Sequence, residues 1–177
     1  MAITKWDLRF MDVAQLIASW SKDSSTKVGA VIADPAHRIV STGYNGLPRG
    51  LADDGARMTD RDVKLRLTLH AEHNAILFAQ RDLLGCTIYV TAHPCAHCAA
   101  QIVQTGIARV VFASSGSYEE RWAADIQLAA ELFGDTGVGV ERADRSGLAE
   151  LQRLGQEFDA RCEPDQHERC ASANTER

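Results

Sequence analysis

The chain has 177 residues, 45% hydrophobic and 24% charged, with a formal net charge of −5 and a pI of about 5.6. Such a composition fits one soluble globular unit with a core of its own. The acidic balance argues against a broad basic surface for a nucleic-acid polymer, but leaves room for a small basic pocket that holds one phosphate.

The first residues carry charges at Lys5, Asp7, Arg9 and Asp12, and no apolar run follows that would make a signal peptide or a membrane span. A cytoplasmic protein with no membrane partner is therefore expected. Trp6 to Trp20 reads as an amphipathic helix, with Phe10, Val13, Ile17 and Trp20 at helical spacing. VGAVIAD and RIVSTGY read as two strands, joined as a hairpin around Pro35–His37. Residues 43–60, rich in Gly, Pro and Asp, read as a loop. A helix is expected from about Thr68 through EHNAILFAQRDL, stopped by Gly85. CTIYVTA reads as a third strand, and a helix opened by Pro94 and closed by Gly106 follows. ARVVFAS reads as a fourth strand, Glu119 to Phe133 as a helix, GVGVERA as a fifth strand and Leu148 to Phe158 as a last helix. Alternating strands and helices imply a sheet covered by helices, an α/β protein. Residues 1–160 are expected to form one domain, and 161–177 a polar tail.

The chemistry is concentrated in two short segments. There are five cysteines, an odd number that does not suit a disulfide framework, and two of them are spaced Cys95-x-x-Cys98. His70-Ala71-Glu72 opens one expected helix and Pro94-Cys95 opens another. One imidazole and two thiolates make three zinc ligands, which leaves a fourth position for water, as in catalytic zinc sites. Cys95 is expected near the positive end of a helix dipole, which favours the thiolate. Glu72 stands beside the metal without binding it, where a carboxylate moves protons. Either half alone is weak, because a Cys-x-x-Cys also serves redox or structural zinc sites. Together they match the H-x-E…P-C-x-x-C signature of zinc deaminases. A structural or nucleotide-sensing zinc protein would have no need of Glu72.

From about Trp6 to about Val140 the chain resembles the deoxycytidylate (dCMP) deaminases of the cytidine deaminase superfamily. The resemblance rests on SKDSSTKVGAVI, STGYNGLPRG, HAEHNAI and YVTAHPCAHCAAQIVQTGI. It implies a three-layer α/β/α sandwich with a five-stranded mixed sheet. It implies hydrolysis of dCMP to dUMP and ammonia, for thymidylate synthesis, with one catalytic Zn2+ per subunit on His70, Cys95 and Cys98. Glu72 would be the catalytic proton shuttle. The Ala71 N–H would hold the base carbonyl, Asn45 would contact the sugar, and Val28 to Ala30 would wall the pyrimidine. Lys27 and Arg49 are the phosphate candidates, with hydroxyls from Ser24, Ser25 and Thr26. A homo-oligomer (dimer or hexamer) is implied, with dCTP and dTTP as effectors and Mg2+ accompanying dCTP.

The residues leave other substrates open: a 5-substituted dCMP, another cytosine nucleotide, or a nucleoside. Adenosine in tRNA is disfavoured by the acidic pI. The run Arg57, Arg61, Lys64 and Arg66 reads as a solvent face or a subunit contact. His37, His73, His93, His97 and His167 are given no role. Cys86, Cys162 and Cys170 show no clustering before the catalytic motif of the kind expected for the second, structural zinc site that some relatives carry, and SSGSYEERWAADIQLAAELFG departs from the family pattern.

Overall fold

The computed structural model describes residues 2–51, 60–113 and 116–143. The expected last helix and polar tail lie outside the described residues. Helix α1 (Lys5–Ser19) opens on a reciprocal capping box: Asp7 N–H donates to Thr4 Oγ1 at 3.2 Å, and Thr4 N–H donates to Asp7 Oδ2 at 2.7 Å. Strands β1 (Gly29–Ala33) and β2 (Ile39–Tyr44) form the expected antiparallel hairpin. Asp34 turns it by accepting the Ala36 and Arg38 N–H groups, and His37 takes a positive φ of 62°.

Helices α2 (Arg61–Leu67) and α3 (Ala71–Ala79) come next, then β3 (Thr87–Val90), α4 (Ala96–Gln104) and β4 (Arg109–Phe112). Helices α5 (Gly116–Arg121) and α6 (Ala123–Thr136) precede β5 (Gly139–Arg142). The sheet order is β2-β1-β3-β4-β5. β1 is antiparallel to β2 and β3, and β3, β4 and β5 run parallel. Parallel neighbours need crossover connections, which α4 and the α5–α6 pair provide.

Alternation along the strands sorts side chains to two faces. Ala30, Ile32, Ile88, Val90 and Val110 pack with Ala71 and Ala75 of α3, Ala99 and Ile102 of α4, and Ala129 and Phe133 of α6. Val31, Ala33, Tyr89 and Val111 pack with Phe10, Met11 and Ala14 of α1. The expected three layers and five-stranded mixed sheet are observed.

Three local expectations need correction. Helix α2 occupies residues between the expected loop and the expected helix. It exists because Asp60 caps it, accepting the Asp62 and Val63 N–H groups. Helix α3 stops at Ala79, because Gln80 adopts the left-handed conformation that ends helices, and Gly85 belongs to a later turn. The single helix expected over 119–133 is two, broken at Trp122, and the second runs to a left-handed Gly137.

On the α1 face a buried ionic network ties four elements together. Asp7 accepts from Arg109 at 2.6 and 3.1 Å and from the Tyr89 hydroxyl at 2.9 Å, and Arg109 also pairs with Glu141. Burial works to raise the Asp7 pKa, but the Arg109, Thr4 and Tyr89 hydrogen bonds hold it far below the usual carboxylate range. A depressed folded-state pKa stabilises the fold above the unfolded value, and that stabilisation fades as the pH drops below about 3.9. Arg109→Ala leaves a buried unpaired carboxylate and is expected to cost about 3 kcal/mol, measured by urea unfolding at pH 7. The cost should shrink below about pH 4.

Candidate metal centre and active site

The donors stand at the N-termini of two helices on the other face of the sheet. His70 is the N-cap of α3, a position that normally favours Ser, Thr, Asp or Asn. Its imidazole makes no capping bond. Instead Nδ1 lies 3.5 Å from Cys95 Sγ and 3.4 Å from Cys98 Sγ. Cys95 is the N-cap of α4, and its sulfur accepts the Cys98 N–H at 3.5 Å. Pro94 therefore precedes the cap and is not in the first helical turn, a correction to the expected helix start. The proline still favours extended backbone just ahead of the sulfur pair.

His70, Cys95 and Cys98 form the one group of three His, Cys, Asp or Glu donors among the described residues that is spaced for a metal ion. Their geometry suits zinc. An imidazole nitrogen and a thiolate sulfur sharing one tetrahedral zinc stand about 3.6 Å apart, close to the two separations observed. The protonation chemistry agrees. A hydrogen bond from Cys98, opposed by burial, and the nearby His70 hold Cys95 down to about 3. The Cys95 thiolate in turn pushes His70 up to about 9. Cys98 is driven up by Cys95 and by burial. A bound divalent cation favours ionisation of both sulfurs together, with release of protons.

Glu72, in the first turn of α3, is 3% exposed. Burial, partly offset by His70, pushes its carboxyl up to about 7. Ala71, fully buried, is the first residue of α3, so its N–H has no acceptor within the helix.

Helix α3 is placed by close backbone contacts. Gly43 of β2 lies directly under it, and a Cβ there would stand 2.3 Å from Ala71 O and 2.4 Å from Ala75 N. Gly46 and Leu69 exchange N–H···O bonds at 3.1 and 2.9 Å, which fixes the chain just before His70. Asn74 Nδ2 adds a bond to Tyr44 O at 2.8 Å.

The other expected site residues are distributed differently. Ala30 is fully buried beside Ala71 and Ala75, and Val28 packs against that cluster. Asn45 is buried, with Oδ1 accepting the Val28 N–H at 2.8 Å and Nδ2 donating to Thr26 O at 2.9 Å. It thus organises the segment proposed to wall the base. Lys27 donates to Ser19 O, and the Arg49 guanidinium lies over the Phe78 ring, near the far end of α3. The Ser25 hydroxyl, expected to meet a phosphate, donates instead to the Asp23 carboxylate, which also takes the Ser25 and Thr26 N–H groups. Lys64 pairs with Asp23 at 2.7 Å and bonds Ser25 Oγ at 2.6 Å, so this member of the basic run braces the loop and does not simply face solvent.

Two residues near the centre had no signal in the sequence. Asp125, in the first turn of α6, accepts the Ala96 N–H at 3.1 Å and so caps α4 from outside. The Tyr118 hydroxyl donates to His93 O at 3.4 Å, and burial together with the nearby Glu72, Cys95 and Cys98 raises its pKa. Both follow β4 in the region that departs from the family pattern, and only the folded chain brings them to the donors.

A model of the cytidine and deoxycytidylate deaminase zinc-binding region matches residues 4–114. An uncharacterized deaminase in the luxG 3' region of Aliivibrio fischeri is 50% identical over 139 residues, which cover 78% of this chain and 93% of that protein. The deoxycytidylate deaminase of Homo sapiens is 39% identical over 140 residues, covering 76% and 77%. Among solved structures, the dCMP deaminase from cyanophage S-TIM5 in complex with dCMP and dUMP aligns at a TM-score of 0.64 and 25% identity, covering 81% of this chain and 100% of that one.

Proposed function

The chain belongs to the cytidine and deoxycytidylate deaminase family, and from that membership we propose that it hydrolyses dCMP to dUMP and ammonia, supplying dUMP for thymidylate synthesis. The observation that carries the reading is the zinc-like spacing of His70, Cys95 and Cys98 with a buried Glu72 one residue into α3. Relatives named deoxycytidylate deaminases, and a neighbour whose structure contains dCMP and dUMP, supply the substrate class.

His70, Cys95 and Cys98 would hold Zn2+. When bound, the metal supplies a water of lowered pKa as nucleophile. Glu72 would take one proton from the attacking water and give it to N3 of the base, then carry the remaining hydroxyl proton from O4 to the amine, which leaves as ammonia. The Ala71 N–H holds the base carbonyl, Val28 and Ala30 set the wall under the ring, and Asn45, which anchors Val28, contacts the sugar. Lys27 and Arg49 leave their present partners to meet the phosphate.

Assembly as a dimer or hexamer, dCTP with Mg2+ and dTTP as effectors, and a cytoplasmic location belong to the same proposal and rest on the resemblance. No helix among the described residues is long and apolar enough to cross a membrane.

The test is loss of cytosine absorbance with the zinc-loaded protein. dCMP, 5-methyl-dCMP, 5-hydroxymethyl-dCMP, deoxycytidine and dCTP are compared, each with and without dCTP and Mg2+. Turnover of dCMP well above deoxycytidine is expected. Turnover of deoxycytidine alone would show that no phosphate is recognised and would overturn the nucleotide reading.

A further inference from the structure

A pair of imidazoles apart from His70 converges close to the sulfur pair. His73 on α3 and His97 on α4 point Nδ1 and Nε2 at one atom, Gln101 Nε2, at 3.2 and 3.0 Å. With the amide nitrogen as donor, each ring offers this shared point a lone pair in the tautomer that carries its proton on the other nitrogen. Imidazole nitrogens from two elements suit a borderline divalent cation.

The amide that fills the point is itself poorly placed. Gln101 Oε1 is buried without a hydrogen-bond partner. A buried orphan oxygen opposes the arrangement, and the opposition ends when the amide rotates out to water. The residue is half-buried and lies one turn beyond His97, which is exposed.

We propose that His73 and His97 form a second cation site, of the Ni2+ or Zn2+ class, which a metal enters by displacing the Gln101 amide. Two acceptors of one NH2 group stand about 5 Å apart, and two imidazole nitrogens on one metal about 3.4 Å apart. The exposed His97 supplies that movement, while the half-buried His73 is the fixed donor. The ligands are distinct from His70, Cys95 and Cys98, and the proposal does not rest on the deaminase reading.

The test titrates full-length, zinc-loaded protein with Ni2+ by calorimetry, with zinc content measured before and after. One further Ni2+ per chain is expected while zinc stays bound. His97→Ala should weaken that equivalent at least about tenfold, and His73→Gln should do the same. Gln101→Ala should tighten it, because the competing amide is gone. Equal binding by wild type and His97→Ala would overturn the proposal. So would the absence of further Ni2+ in both wild type and Gln101→Ala, or uptake matched by zinc release.

Discussion

Replacing Glu72 with Gln is expected to lower kcat for dCMP by about 10³-fold while leaving zinc content unchanged. The substitution keeps the shape and the burial of the side chain, which is 3% exposed in the first turn of α3. It removes the buried carboxyl beside the three donors that is assigned to accept and return a proton. None of the three donor atoms comes from Glu72, so metal should remain. Steady-state rates and elemental analysis on the same preparation check both parts. Activity within about tenfold of wild type would assign proton transfer elsewhere.

Gly43→Ala is expected to damage folding and chemistry together. The new methyl carbon would fall 2.3 Å from Ala71 O and 2.4 Å from Ala75 N, and these are backbone atoms that cannot rotate away. Helix α3 has to lift from β2, carrying His70 and Glu72 with it. Overpacking of this kind costs about 1–3 kcal/mol, or a Tm lower by about 2–4 °C for each kcal/mol. A displacement of about 1 Å at the reacting groups lowers kcat by about 10²-fold. Gly46→Ala is the control, since an added Cβ there would meet only a Tyr44 side-chain atom, at 3.9 Å. Calorimetric melting and kcat are compared for both. A Gly43→Ala protein with wild-type kcat would show that α3 is not positioned by this contact.

The centre was legible in the sequence because its donors come from two short segments, each opening a helix. His70, Glu72, Cys95 and Cys98 need only local spacing to be recognised, and the fold brings His70 to the sulfurs as expected. The five strands were also legible, from β-rich runs bounded by turn residues. Long-range pairings were not. Nothing near Asp125 in sequence indicates that it caps α4, and Gly43 looks like any strand glycine until α3 lies on it. A loop lysine or arginine likewise has no sequence mark for its partner, and the structure gives Lys27 and Arg49 partners that are not the donor cluster. Helix ends were misread where a single conformation decides them, as at the left-handed Gln80.

The two faces of the sheet separate robustness from reactivity. On β3, Tyr89 joins the Asp7–Arg109 network while its neighbours Ile88 and Val90 support the helices that carry the donors. Changes on the α1 face therefore raise or lower the tolerance of the whole domain with little movement of the reacting groups, because sites without shared partners act nearly additively. Stabilising substitutions placed there would give this chain a reserve against which the donor-bearing side could accumulate otherwise harmful mutations, and new specificities, without losing the fold.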